Sequence, residues 1–272
     1  MNSLQLYLSL LKYSFLNPEK GFQLLKSTYQ VWSDSKTKQQ IRNFGEINYN
    51  VNEIIRTLFP EEPFNLNDYK KNLVSLQSEI LSFFRKLEDQ KYPSYKKPYP
   101  FIYQIDNESA FSLYAICRIL KPEKLLETGV AYGLSTSYIL QALADNNKGT
   151  LYSLDSVFRP WESESMIGSL IPNKLKNRWK LINGIATKKM KDTLNSLEEI
   201  DIFLHDSLHT YKNMTFEFNL AWPYIKKHGF LISDDVGSNN AFFDFCKKNA
   251  LNPIILSQKN ENKSFLGIIR KP

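Results

Sequence analysis

The sequence predicts an α/β protein, an open, doubly wound and mainly parallel sheet preceded by a helical region. Three observations predict it. A short apolar run, Leu125-Leu126, ends on Glu127, passes a turn holding Gly129 and Gly133, and enters Ser135-Thr136-Ser137-Tyr138-Ile139-Leu140; that order reads as strand, tight turn, helix. Further apolar runs end on acids at Asp155, at Asp206 and at Asp234-Asp235, with helix-like stretches between them, the pattern of parallel strands joined by crossovers. Before residue 97 that alternation is missing, and apolar residues recur at helical spacing instead.

Taken in order, residues 1–96 read as a helical region. Leu4, Leu8, Leu11 and Phe15 share one helical face, residues 21–32 continue apolar, and Leu73, Leu76, Ile80, Phe83 and Phe84 mark a third helix. These helices dock on the main domain, cap its site or form a homodimer face. Residues 97–272 read as the main domain. A helix over 110–120 stops before Pro122. The first strand and glycine turn follow, then a helix over 136–144. Residues 150–154 are the second strand, 179–182 the third, 202–204 the fourth and 229–233 the fifth. A helix over 215–225 separates the last two, and one over 240–248 follows. Residues 253–256 and 265–270 close the chain as an antiparallel pair around a polar turn at 258–263.

Composition narrows the function. The 272 residues are 42% apolar, enough for a sizeable core in one α/β domain with an extension. The net charge of +7 is spread along the chain. Residues 1–100 carry 14 basic and 10 acidic side chains, leaving 21 and 18 for the rest, an excess of +4 and +3. Residues 174–191 hold seven bases and no acid; such a run is ordinarily a solvated face, and nucleic acid is not indicated as a partner. Cys117 and Cys246 lack metal or redox spacing, which fits a reducing compartment. The N-terminus has no basic leader region, and no stretch reaches the roughly 18 apolar residues of a membrane span. A soluble, cytoplasmic protein without a membrane partner is expected.

The site readings start at the turn. Glycine suits positions where the backbone takes positive φ or approaches another group closely. The amides opening the next helix face the same crevice. Asp155, closing the second strand, can accept hydrogen bonds from two ribose hydroxyls, because a carboxylate is acceptor-only. Asp206, Asp234 and Asp235 are delivered to the same sheet edge. Three carboxylates there repel, so a divalent metal, a basic partner, a helix N-terminus or a proton must neutralise them. His209 is the candidate general base, since neutral imidazole can take a hydroxyl proton; the alternative is a histidine that caps the next helix or bonds Asp206.

The spacing E-x-G-x-x-x-G-x-S from Glu127 to Ser135 resembles the first motif of class I S-adenosylmethionine-dependent methyltransferases. The segments HDSLHTY and AWPYIKKHGFLISDDV are similar to those of small-molecule and sugar-hydroxyl O-methyltransferases, over roughly residues 100–270. The resemblance implies a Rossmann-like sheet of seven strands with the last antiparallel, and S-adenosylmethionine as cofactor. It implies that Glu127, Thr128, Gly129, Gly133 and Ser135 lie along the methionine part, Asp155 at the ribose, and Asn183, Gly184 and Ile185 at the adenine, with Asp206 beside the cofactor. It further implies a Mg²⁺-type site at Asp206, Asp234 and Asp235, with His209 and Asp206 as the catalytic pair acting on a small-molecule or glycan hydroxyl. Two rival readings stay open: a non-catalytic cofactor-binding or assembly protein of the same fold, and a nicotinamide oxidoreductase, which the absence of G-x-G-x-x-G disfavours.

Overall fold

A computed structural model describes residues 3–36, 47–48, 50–101, 104–257 and 265–272. Four helices come first: α1 (Ser3–Leu16), α2 (Pro18–Lys36), α3 (Val51–Leu58) and α4 (Leu66–Glu88), with the two-residue strand β1 (Ile47–Asn48) before α3. The α/β part then runs α5 (Asn107–Leu120), β2 (Lys124–Thr128), α6 (Leu134–Asp145), β3 (Thr150–Asp155), β4 (Trp179–Asn183), α7 (Ala186–Leu197) and β5 (Ile200–His205). It closes with α8 (Tyr211–Ala221), β6 (Ile225–Ser233), α9 (Ala241–Lys248), β7 (Ile254–Ser257) and β8 (Phe265–Arg270).

The expected seven strands lie in the order β7-β8-β6-β5-β2-β3-β4, and β1 adds a short eighth beside β7. From β4 to β6 all neighbours are parallel, while β8 runs antiparallel between β6 and β7. The chain leaves β2 toward β3 and β4, then returns to β5 on the other side of β2. The order of the strands therefore reverses at the β2–β5 pair, where open α/β sheets form their ligand crevice.

Period-2 alternation along the strands builds two cores. Leu125, Leu151, Ile202, Leu204, Phe230 and Ile232 face α3 to α6 on one side of the sheet. Leu126, Leu154, Phe203 and Leu231 face α7 to α9 on the other. Strands buried on both faces read as continuous apolar runs, which is why β5 and β6 were legible. The N-terminal helices divide by packing. Ile54, Ile55, Leu73 and Leu76 of α3 and α4 are buried in the first core, whereas Leu4, Leu8, Leu11 and Phe15 of α1 are all more than half exposed.

Local signals set the helix ends. Asp106 caps α5, its Oδ1 accepting from the Ser109 amide at 2.7 Å, so the helix starts three residues earlier than the apolar pattern suggests. Thr210 caps α8 through the Asn213 amide, which puts α8 four residues ahead of the expected 215–225. The turn expected at 258–263 lies outside the described residues.

Candidate active site

The register of the strands aligns their carboxyl ends. Thr128 pairs with Leu154 and with His205, Asp155 with Asn183, and His205 with Ser233. The residues just past those ends therefore share one edge, and a cavity of about 460 Å³ opens there. Gly129, Gly133, Ser135, Asp155, Gly184, Ile185, Asp206, His209, Asp234 and Asp235 all line it. Glu127, Thr128 and Asn183, expected to touch a cofactor, do not.

The reason for each exception is visible. Glu127 is fully buried beneath the turn. Its carboxyl accepts from Ser135 Oγ (3.0 Å), from Thr136 Oγ1 (2.9 Å to Oε2) and from Ser153 Oγ (2.7 Å), clamping the first turn of α6 to β2 and β3. Burial lifts its pKa to about 7 against those three hydroxyl donors. Thr128 Oγ1 donates to Glu217 Oε2 at 2.6 Å, and it is Glu217 that reaches the cavity. The Asn183 side chain is exposed and donates to Glu164 at 3.0 Å.

The turn itself is tightly constrained. Gly129 has φ +85°, and a Cβ there would stand 2.0 Å from the Asp206 carbonyl oxygen. A close approach that demands this glycine is thus the β5 end crossing it. Gly133, at φ +92°, is the residue before α6. Between them Ala131 also takes positive φ, 47°, a conformation that costs an alanine energy. Asp155 fixes this loop. Its Oδ2 accepts from the amides of Val130 (2.8 Å) and Ala131 (3.0 Å), and its Oδ1 from the Ser156 amide (2.6 Å). Burial nevertheless raises its pKa to about 6.

At the other end of the cavity the acids gather around a ring. His209 Nε2 lies 3.7 Å from Asp206 Oδ1, and Nδ1 lies 3.4 Å from Asp235 Oδ2. Among the described residues, Asp206, His209 and Asp234 form a set in which each offers one ligand atom within 4.8 Å of the others. Asp235 is not in that set but lines the same cavity and its charge also acts on Asp206. Burial, then Asp234, raise the Asp206 carboxyl well above its usual range. Burial and the neighbouring His205 ring hold His209 down at about 3, so the ring is neutral and its Nε2 is buried without a hydrogen-bond partner.

Behind His209 stands a network that sequence reasoning missed. The His205 ring meets His209 edge-on, with centroids 5.4 Å apart. His205 Nδ1 lies 2.7 Å from Glu217 Oε2, and both side chains are fully buried. Glu217 Oε1 accepts from Ser207 Oγ (2.9 Å) and Asn213 Nδ2 (3.1 Å). Burial pushes its pKa up, but the His205 ring and these donors outweigh it and the net shift is down. The signal was present: Glu217 shares a helix face with buried Met214, Phe218 and Ala221, and an acid on an apolar face needs partners.

The wall facing the sheet edge is also unforeseen in its detail. Gln23, Lys26, Ser27 and Gln30 of α2 line the cavity. Trp161 is buried away from the cavity, and His228 is exposed. The basic run is largely engaged within the chain: Lys174 pairs with Glu79, Lys188 with Glu19, and Arg178 donates to Asn147 and to the Gly149 carbonyl. Cys117 and Cys246 are free and buried.

Residues 126–236, which contain the turn, Asp155 and every acid of the cluster, match the family model of a methyltransferase domain. This segment is similar to methyltransferase domains. Solved structures with a similar fold cover most of the chain. An O-methyltransferase from Bacillus cereus in complex with S-adenosylhomocysteine is 15% identical, with a TM-score of 0.54 over 81% of this chain and 97% of that one. The O-methyltransferase TomG from Streptomyces achromogenes, involved in tomaymycin synthesis and solved with S-adenosylmethionine, is 12% identical, with a TM-score of 0.54 over 82% and 97%. A structure described as a putative caffeoyl-CoA O-methyltransferase from Staphylococcus aureus is 16% identical, with a TM-score of 0.52 over 76% and 100%. At these identities the likeness establishes the fold. No curated protein matches the chain. The matched segment thus holds both ends of the cavity, and α2 lies outside it. No described helix is long and apolar enough to cross a membrane.

Proposed function

We propose that the chain is an S-adenosylmethionine-dependent O-methyltransferase acting on a hydroxyl of a small molecule or sugar. One observation carries this reading: a single cavity joins the Gly129–Gly133 turn and Asp155 to the ring of His209. Its volume is in the range of small-ligand sites, roughly 300 to 1,000 Å³. The bound donor would supply an electrophilic methyl group on a sulfonium.

The chain's own residues supply the rest. Gly133, Ser135 and the opening amides of α6 border the place for the donor's amino-acid part. Asp155 keeps about one lone pair, on Oδ1, free for a ribose hydroxyl beyond the three amides it accepts, and Ile185 gives an apolar wall for the base. His209, neutral at physiological pH, takes the proton of the acceptor hydroxyl at Nε2, while Asp235 beside Nδ1 holds the ring and steadies the imidazolium that forms. Alignment of acceptor and methyl group by the cavity walls carries much of the remaining rate gain.

The close set of Asp206, His209 and Asp234 favours a second element at the same end. Two carboxylates that repel in a desolvated corner, next to an unpartnered ring nitrogen, fit a divalent cation such as Mg²⁺ or Mn²⁺, with the nitrogen favouring the latter. Those three residues would hold it, and it would supply Lewis-acid activation of a hydroxyl. Buried free thiols favour a reducing, cytoplasmic setting.

The test is calorimetric titration of the full chain with S-adenosylhomocysteine, with EDTA and with added Mg²⁺ or Mn²⁺. Micromolar binding in EDTA supports the donor site, and a further gain with metal supports the cation. No binding under any condition would leave a non-catalytic scaffold of the same fold.

A further inference from the structure

We propose that Tyr99 is a cofactor-binding residue, its hydroxyl donating to one of the two ribose hydroxyls of the methyl donor while Asp155 accepts from the other. This rests on the reading of the cavity as an S-adenosylmethionine site and adds a second ribose contact to it. Tyr99 lies outside the segment that is similar to methyltransferase domains.

The supply of acceptors at Asp155 creates the need. A carboxylate has about four lone-pair positions. Asp155 commits Oδ2 to the Val130 and Ala131 amides and part of Oδ1 to the Ser156 amide. About one position remains, whereas a ribose presents a pair of adjacent hydroxyls. Glu162, the other carboxylate whose charge reaches Tyr99, is held by its own loop. It accepts from the Phe158 and Arg159 amides and from the Arg159 guanidinium. A ribose hydroxyl buried without a partner weakens binding.

Tyr99 meets that need. Among the described residues, three that line the cavity carry a buried side-chain polar atom without a hydrogen-bond partner: Tyr99 at its hydroxyl, Gln104 at Nε2 and His209 at Nε2. Tyr99 is 7% exposed, and a tyrosine so deeply buried ordinarily pairs its hydroxyl. The groups whose charge acts on that hydroxyl, Asp155 ahead of Glu162, Tyr132 and Arg159, all line the same cavity. The hydroxyl therefore belongs to the Asp155 end. Burial, then the two carboxylates, keep the phenol protonated, so it is available as a donor.

The glycine turn fixes the position of Tyr99. The Tyr132 hydroxyl accepts from the Tyr99 amide (3.3 Å) and donates to the Tyr99 carbonyl (3.1 Å). The two rings meet edge-on with centroids 5.1 Å apart. Tyr132 stands between Gly129 and Gly133 and also packs edge-on against Phe83 and Phe84 of α4. Pro98 and Pro100 flank residue 99 and restrict its backbone. The loop that borders the donor's amino-acid part thus also sets the residue beside its ribose.

Calorimetric titration of the full chain, wild type and Tyr99→Phe, tests this with S-adenosylhomocysteine and its 2′-deoxy and 3′-deoxy analogues. Phenylalanine keeps the ring contacts and the main-chain bonds to Tyr132, so the melt should be unchanged. The variant should bind S-adenosylhomocysteine about five- to tenfold more weakly, the scale of one lost hydrogen bond. That penalty should vanish for one deoxy analogue and persist for the other, a pattern that a purely structural residue does not give. Unchanged affinity in the variant, or an equal penalty for all three ligands, overturns the proposal and leaves the donor site standing. If the variant melts lower, the wild type decides. Weaker binding of both deoxy analogues than of the parent supports the second contact, and parent-like binding of either overturns it. A wild type that binds none of the three overturns the donor-site reading itself, and this proposal with it.

Discussion

His209 Nδ1 lies 3.4 Å from Asp235 Oδ2, and Asp235 holds this place from a left-handed backbone conformation, φ +49°. Aspartate tolerates that conformation better than most residues, and strained backbone of this kind collects where a side chain must be aimed. Nε2, buried without a hydrogen-bond partner, is the nitrogen we propose as the base. His209→Gln should therefore lower kcat about 10² to 10⁴-fold, the usual span for a lost general base, with S-adenosylhomocysteine affinity unchanged. Because the ring's pKa is lowered to about 3, it stays a base through the neutral range. The kcat profile at saturating donor should lack the acid limb near pH 6.5 that an unperturbed histidine gives.

Asp155 makes donor binding the pH-sensitive step instead. Its pKa is raised to about 6, so the folded protein takes up a proton on this carboxyl as pH falls through about 6. The protonated form loses acceptor capacity for both the loop amides and a ribose hydroxyl. Titration with S-adenosylhomocysteine at pH 5 and pH 7.5 should show the weaker affinity at pH 5. Asp155→Ala should cost ~1 to 3 kcal/mol of binding at pH 7.5, the scale of lost charge-assisted hydrogen bonds, and should flatten that pH dependence.

Glu217 is a stability prediction. Removing its carboxylate leaves His205, Thr128, Ser207 and Asn213 without their shared acceptor. Glu217→Ala should destabilise the fold by ~3 to 5 kcal/mol in urea unfolding, as when one partner of a buried charged pair is lost. The net downward pKa shift makes this a carboxylate contribution. It is present above the unfolded pKa of about 4.3 and lost as pH falls through the lower folded value.

Gly129→Ala should fail as a fold before it fails as a binding site. A Cβ meets the Asp206 carbonyl oxygen at 2.0 Å on a residue with positive φ, so β2 and the β5 end must part. Loss of about 2 kcal/mol or more of stability is expected, read as a lower melting temperature. A variant that melts normally yet binds no donor would instead assign this glycine to the ligand alone.

Metal binding should release protons, because burial and Asp234 keep the Asp206 carboxyl well above its usual range and a ligand must be deprotonated. The heat of Mn²⁺ titration should then vary with the ionisation enthalpy of the buffer. Asp234→Ala should abolish that heat while leaving S-adenosylhomocysteine binding measurable in EDTA.

The fold was legible because it is written in local patterns. Apolar runs ending on Asp155, Asp206 and Asp234 mark parallel strands buried on both faces, and the Glu127–Gly129–Gly133–Ser135 spacing marks the turn where the sheet reverses direction. Those signals need no knowledge of distant neighbours. Contacts between distant segments were not legible. Whether Glu127 touches a ligand or clamps α6 depends on Ser153, which reaches it only across the β2–β3 pairing. Whether Gly129 makes room for a ligand or for the chain depends on β5 crossing it 77 residues later in sequence (206 minus 129). That His209 joins Asp206 and Asp234 in the close set, while Asp235 stands beside the ring's other nitrogen, depends on how the β5 and β6 ends meet. Helical spacing identified α1 and α2, but spacing alone does not say which way a stripe faces. Only the tethers of α2 to Thr210, Tyr211 and Lys188 decided that its polar side closes the cavity and its apolar side meets solvent.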